Sequence, residues 1–396
     1  MIYDYRTAFN ERFTEARYAD LLRRLEEETG VPIDFRVAET PVFVPKSLEE
    51  QLRAACDDIF SVLTRDDFDR RTAGAIPPGL EVPNQTPHSL FLAIDFAVCD
   101  AGDGALIPQL IELQGFPSLY FYQETAGRAY RAAYDLPGEL THLLGGLDEE
   151  EYRDLLRRVM LDGHAPENVV LLEIEPHKQK TRADFYATER RTGVRPVCIS
   201  EVIREGRSLF YEREGRRVPI HRIYNRVIFD ELLRRRDLPT QFNLQDDVDV
   251  TWAGHPNWFF KISKWTLPLL HSAYVPETHF LSEVSAWPDD LENWVLKPLY
   301  SFAGAGVRFD VTRADLEAVD DPANFILQRK VHYAPVVPTL DVPAKVEIRR
   351  LFVWPHDEPR PRPVISLARL SKGVMIGVDY NKDRTWVGGS CAFYEQ

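Results

Sequence analysis

Apolar and polar positions change period several times along this chain, and each change marks an element. Residues 14 to 29 place Ala16, Leu21, Leu22 and Leu25 on one helical face, and Gly30 supplies the stop. Residues 31 to 44 are short and extended, punctuated by Pro32, Pro41 and Pro45. Ser47, with Glu50 three residues on, predicts a capping box opening a second helix that runs to about Leu63. After the Ile76-Pro-Pro-Gly loop, residues 89 to 98 read as a strand, Asp100-Ala-Gly-Asp-Gly as a hairpin turn, and residues 106 to 114 as the returning strand. Residues 118 to 145 read as helical and rich in aromatics, and 148 to 161 as a charged helix.

The pattern then alternates. Residues 169 to 174 form a buried strand, 183 to 192 a helix closed by Gly193, and 194 to 199 another strand. A hairpin over 208 to 218 turns at Glu214-Gly215, and 220 to 227 is a further strand. Strand, helix and strand with short loops predict a small α/β domain holding a parallel pair. Ligands favour the carboxyl ends of such strands. That places Lys178, Lys180, Thr181 and Arg226 on a candidate substrate rim; the plainer reading of each is an exposed surface charge. A third unit starts near Val248, with Lys261 and Lys264 ahead of a short helix and a helical link over 287 to 294. Thr312-Arg-Ala-Asp315 reads as a helix start and 325 to 331 as a strand running out of the core toward a linker. Residues 345 to 354 form a long strand with Glu347 and Arg349 on one face; 366 to 372 and 379 to 381 add polar groups near glycines.

Two stretches carry candidate chemistry. In residues 295 to 310, Lys297 ends a buried strand, Pro298 stops regular pairing, and Ser301, Ala303, Gly304, Ala305 and Gly306 form a loop of little bulk before a returning strand. Such a loop lets backbone N–H groups approach an anion closely, and a lysine beside it suits a triphosphate. It is neither a P-loop, lacking Gly-Lys-Ser/Thr, nor a dinucleotide fingerprint, since a strand follows. A glycine-softened hairpin beside a surface lysine is the bland alternative. The early hairpin carries Asp95 in one apolar strand and Glu112 in the other, with Gln114 two residues on. Buried carboxylates need a cation or a donor, and an oxygen-rich set of this kind suits Mg²⁺. The alternative is that each faces solvent or pairs with an arginine.

Composition narrows the class. The 396 residues allow two or three domains, and 44% hydrophobic with 28% charged residues is a globular balance. No apolar run approaches a membrane span, and the N-terminal residues lack a signal peptide's apolar core. Cys56, Cys99, Cys198 and Cys391 are far apart and read as reduced thiols, so a cytoplasmic location is expected. A net charge of −14 argues against a general nucleic-acid binder.

The order of these pieces resembles the ATP-grasp superfamily in circularly permuted form, most like the synthetase domain of glutathionylspermidine synthase and its relatives of unassigned substrate. The resemblance covers most of residues 85 to 396. It implies an α/β (α+β) ATP-grasp fold with a pre-ATP-grasp-like α/β domain. Residues 1–160 would hold an N-terminal segment and the permuted metal-binding half, 161–247 the pre-ATP-grasp-like domain, 248–330 the nucleotide-binding subdomain, and 331–396 the C-terminal part of the core. It implies that Lys264 and Lys297 hold ATP, that the loop from Ser301 through Gly304 to Gly306 covers its phosphates, and that Gln328 and Val331 meet the adenine. Asp95, Glu112 and Gln114 would hold two Mg²⁺ ions, and Arg349 would lie near the γ-phosphate, with Arg350 on the other face. Two departures stand out. Gln114 replaces an asparagine, and Ala93 stands where that synthetase has a transition-state arginine, which leaves Arg226 or Arg369 to supply the charge. The implied reaction joins a carboxylate to an amine, with peptide or polyamine-like substrates as the default. A scaffold that binds nucleotide but no longer ligates, and acts through a protein partner, and a kinase without a ligation step are the competing expectations. The sequence is silent on oligomeric state.

Overall fold

A computed structural model of the protein describes residues 1–102, 104–300, 306–373, 376, 381 and 383–395. Helices α1 (Tyr3–Arg12) and α2 (Glu15–Thr29) open the chain. Thr14 caps α2 by accepting from the Arg17 N–H, and Gly30 ends it at φ +78°, a conformation open to glycine. Strand β1 (Val42–Val44) leads into α3 (Lys46–Leu63) and the single turn α4 (Phe68–Arg71). The expected Ser47/Glu50 box is not formed. Pro45 takes the cap position and its carbonyl accepts from the N–H groups of Leu48 and Glu49, so the helix cap lies two residues earlier.

The hairpin of β2 (Phe91–Asp100) and β3 (Leu106–Gln114) follows. Asp100 Oδ1 accepts from the N–H groups of Gly102 and Gly104 in its turn. Next come α5 (Tyr120–Tyr134), β4 (Leu140–Thr141) and α6 (Glu149–Leu161), whose Asp148/Glu151 capping box is complete. The long helix expected to 145 stops at Tyr134 because Asp135 turns to φ 51° with Pro137 close behind.

The middle of the chain holds β5 (Val169–Glu173), α7 (Arg182–Thr192), β6 (Arg195–Cys198), the meander β7 (Ile203–Glu205), β8 (Ser208–Arg213) and β9 (Arg216–Ile220), then β10 (Arg222–Asn225), α8 (Phe229–Arg234) and β11 (Thr251–Ala253). Strands β11, β10, β5 and β6 form a wholly parallel sheet in that order. It therefore takes its fourth strand from beyond residue 247. Helix α9 (Asn257–Lys261), β12 (Thr278–Phe280), β13 (Trp294–Pro298), α10 (Arg313–Glu317) and β14 (Phe325–Arg329) follow. Their antiparallel sheet runs β12-β14-β13. The link expected over 287 to 294 is helical only as a 3-10 turn at Leu291–Asn293. The strand expected to return at 307 to 310 touches β13 at one bridge, Leu296 with Arg308.

Strands β15 (Lys345–Val353), β16 (Arg362–Ser371) and β17 (Gly388–Glu395) complete the central sheet, ordered β1-β17-β16-β15-β2-β3 with β4 on β17. Alternation divides its faces. Ile94, Phe96, Val98, Ile348, Ala368 and Leu370 pack with Leu48, Leu52, Ile59 and Leu63 of α3 in the largest core. Asp95, Glu347, Arg349 and Arg369 stand on the opposite face. This is a mixed α/β protein of several sheets, and among the described residues no helix is long and apolar enough to cross a membrane.

Arg350 crosses into the apolar side as expected, 1% exposed, and is met there by Glu49 of α3 and the Tyr394 ring. Removing one partner of a buried ion pair strands the other charge, at a cost of about 3–5 kcal/mol. Glu49→Ala is therefore expected to lower unfolding stability by about that amount in urea titration. A loss within the scatter of surface substitutions would contradict the pairing.

Candidate functional site

The hairpin and the late lysine meet. Asp95 pairs with Glu112 across β2 and β3, but Phe96 pairs with Leu110, so Ile111 is the extra residue of a β-bulge. A bulged residue is left out of the ladder. The Ile111 carbonyl accepts instead from Lys297 Nζ, at 3.3 Å, which docks the end of β13 onto the bulge. The second partner of Nζ is Gln328 Oε1 on β14, at 2.5 Å, and the Gln328 amide donates to Thr278 Oγ1. The Gln328 side chain thus orients Lys297, and Val331 lies half-buried just past β14. Lys264, buried at the start of a 3-10 turn, feels the charges of Glu112 and Asp230. Burial lowers the pKa of both lysines. For Lys297 it falls to about 8, with Glu112 opposing, Lys264 adding to the fall and Glu347 opposing. Ser301 and Gly304 lie outside the described residues. Gly306 follows them at φ +74°, where a Cβ would stand 2.8 Å from Pro298 Cγ, so that position accepts no side chain without a shift.

On the same face of the central sheet lies a network of carboxylates and guanidinium groups. Arg349 grips Asp95 in a fork, Nε to Oδ1 and Nη2 to Oδ2 both at 2.6 Å. Arg369 reaches the same Oδ2 at 2.5 Å and also donates to Glu347, its partner in the β15–β16 register. Tyr333, on the linker leaving β14, donates to Glu347 Oε2 at 2.7 Å. Arg349 further contacts Ser118 Oγ at 3.2 Å and approaches Glu112 Oε1 at 3.6 Å. Burial would raise the Asp95 pKa, but Arg349 and then Arg369 override it and hold it below the usual carboxylate range. Burial raises Glu347, with Arg369 opposing and Asp95 adding. Of the two alternatives open for a buried carboxylate, Asp95 takes the arginine.

Whether this set suits Mg²⁺ follows from its donors. Both Asp95 oxygens are held by guanidinium groups, Glu112 Oε1 accepts from the Gln114 amide at 2.9 Å, and Glu347 is shared by Arg369 and Tyr333. Among the described residues no three His, Cys, Asp or Glu side chains converge as a metal-binding group. As arranged, Asp95, Glu112 and Gln114 do not fit a two-cation cage.

Arg226 occupies a neighbouring place. It follows β10 at the carboxyl edge of the parallel sheet, and its backbone N–H bonds the Leu172 carbonyl. Its guanidinium lies over Phe116, 5.0 Å from the ring centre, and Phe185, at 5.5 Å. It is 7% exposed, with Nε and Nη1 lacking hydrogen-bond partners. Glu173 and Asp184 are the nearby acids. Burial raises both pKa values against the pull of Arg226, Glu173 to about 8, and Asp184 already accepts the Tyr122 N–H at the start of α5. Phe116 lies two residues past Gln114, so Arg226 borders the hairpin. By contrast, Lys178 is exposed and pairs with Glu175.

A scan against protein-family models and a search of curated proteins both find no match for this chain. A solved structure does match. It is a glutathione synthetase-like effector, GSS30, from Globodera pallida, in apo form, with a TM-score of 0.56, 11% identity, and 96% of each chain covered. At that identity the likeness concerns the fold alone, and it runs the length of both chains.

Tyr333, Glu347, Ser118 and Glu173 were not identified as site residues from the sequence. Glu347 left one signal, its shared face with Arg349. Tyr333 left none, since it stands in an aperiodic linker.

The lowered Lys297 pKa has a directional consequence. The folded protein releases this proton near pH 8 and the unfolded chain near 10.5, so a destabilising term is fully present below 8 and is relieved as pH rises toward 10.5. Carbon-13 NMR of the lysine Cε atoms should find one signal with a midpoint near pH 8 that disappears in Lys297→Arg. A midpoint in the ordinary lysine range would contradict the environment described.

Proposed function

We propose that the cleft between the hairpin and β13 is an ATP-grasp nucleotide site, and that the protein is an ATP-dependent carboxylate–amine ligase. The observation that carries the reading is the docking of Lys297 on the Ile111 bulge, which brings Lys297 within range of Glu112 and Lys264. The fold shared with a glutathione synthetase-like protein supports it. Lys264 and Lys297 would face the phosphates, with Gln328 setting the Lys297 rotamer. The buried guanidinium of Arg226, with two unpartnered nitrogens, would anchor the acid substrate. Gln328 and Val331 would lie along the adenine edge.

The chemistry has two steps. A carboxylate oxygen of the acid attacks the γ-phosphorus, the bond from phosphorus to the bridging oxygen breaks, and ADP departs. The acylphosphate then takes the lone pair of an amine at its carbonyl carbon; the carbon–oxygen bond breaks, phosphate leaves, and the amine's surplus proton passes to solvent. Free carboxylate is a poor electrophile, which is why ATP is consumed. Positioning and charge neutralisation do the catalytic work. Arg349 and Arg369, gathered on Asp95, are the cations able to follow the transferring group.

One observation favours a second reading, a scaffold that binds nucleotide without transfer. Ala93, where the resembling synthetase has an arginine, is 1% exposed inside an apolar cluster with Tyr120, Leu351 and Ile365, so it contributes no charge. Incubation with ATP, a panel of acids and a panel of amines, followed by mass analysis, separates the readings. Ligation gives ADP, phosphate and an amide; a kinase leaves the phosphoryl group on its product; a scaffold gives no turnover. Lys297→Ala should reduce turnover at least about 100-fold, and Arg226→Lys should raise the KM for the acid more than that for ATP. Unchanged kinetics in either variant would remove that residue from the site.

A further inference from the structure

The charges on the central-sheet face do not match a site waiting for metal ions. Four cationic side chains, Lys264, Lys297, Arg349 and Arg369, lie among the carboxylates Asp95, Glu112 and Glu347, with Asp230 also near Lys264. Asp95, the carboxylate deepest in the sheet at 1% exposure, carries the most guanidinium contacts. A divalent ion approaching it would meet the Arg349 fork across both oxygens and the Arg369 bond on Oδ2. The two arginines are also held elsewhere, although the Arg369 side chain keeps 35% of its surface exposed. Arg349 is 8% exposed and also held by Ser118, and Arg369 is held by Glu347, which Tyr333 fixes in turn. The register enforces this: Glu112, Asp95 and Arg349 stand on adjacent strands in one row, with Glu347 and Arg369 in a second.

A polyphosphate meets the opposite situation. It brings the oxygens that guanidinium groups bind best, and Arg349 and Arg369 can gain phosphate contacts without Asp95 leaving the sheet. We propose that this cleft takes a triphosphate without a divalent cation, its charge met by Lys264, Lys297, Arg349 and Arg369 in place of metal. The inference rests on the nucleotide reading above and departs from the Mg²⁺ dependence that the sequence resemblance implied. On this account Asp95 holds the two arginines in reserve, and its charge competes with the ligand for them.

The sign of one substitution separates the two roles of Asp95. If it is a metal ligand, Asp95→Asn weakens nucleotide binding. If it competes for the arginines, Asp95→Asn tightens binding, because a neutral amide releases guanidinium charge. The measurement is calorimetric titration of the full chain with the β,γ-imido analogue of ATP, in EDTA and separately with millimolar Mg²⁺. Dissociation constants within about threefold of each other for the unmodified protein, and several-fold tighter binding by Asp95→Asn in EDTA, are the expected results. Binding that appears only with Mg²⁺, or strengthens more than tenfold with it, overturns this inference and leaves the nucleotide site standing. Absence of binding under both conditions overturns the nucleotide reading as well. Because the comparison with and without EDTA uses the unmodified protein, it decides the matter even where Asp95→Asn folds poorly.

Discussion

Asp95 lies in the middle of a sheet with almost no water around it, and an isolated carboxylate there would carry a large desolvation cost. Two guanidinium groups, projecting from β15 and β16, remove that cost. The pairing constrains more than charge. Arg349 can reach both Asp95 oxygens only if β15 lies beside β2 in the observed register, and Arg369 can reach Asp95 and Glu347 together only if β16 lies beside β15. A one-residue slip on any of these strands would send its charged group to the α3 side, into the aliphatic core. The ion network and the register therefore specify each other, and the face that results is the one the candidate site uses.

The same network ties distant parts of the chain together. Tyr333 hangs from the linker beyond β14 and closes on Glu347, while Lys297 at the end of β13 closes on the bulge of β3. The small antiparallel sheet is thus tied to the central sheet through a carboxylate and through a carbonyl, among other contacts. Any anion entering between them would meet both attachments, so its charge would be felt at the joint as well as at the lysines.

Much of this architecture was legible in the residues. The hairpin at 91 to 114, α2, α6, α7 and β14 followed from period, caps and turn chemistry, because those signals are local. The role of Asp95 was left open for a physical reason. A lone carboxylate in an apolar strand reports only that it has a partner; whether that partner is a cation in solution or an arginine more than two hundred positions away is decided by strand order. The bulge at Ile111 was invisible for a similar reason, since nothing in Leu-Ile-Glu departs from strand composition. Strand β17 was missed because Gly388-Gly-Ser opens it as loop composition would. Its strand character comes from the pairing with β16 and β1.

That last pairing bears on how the protein comes to be folded. Val42 lies against Ala392 in parallel, so the sheet recruits strands from opposite ends of the sequence, and β2 must wait for β15 before its charged residue finds a counterion. During synthesis the acidic hairpin emerges long before the segments that neutralise it. Contacts of such wide sequence separation form late and leave partial sheets exposed meanwhile. Until β15, β16 and β17 are made, the early strands therefore keep unpaired edges.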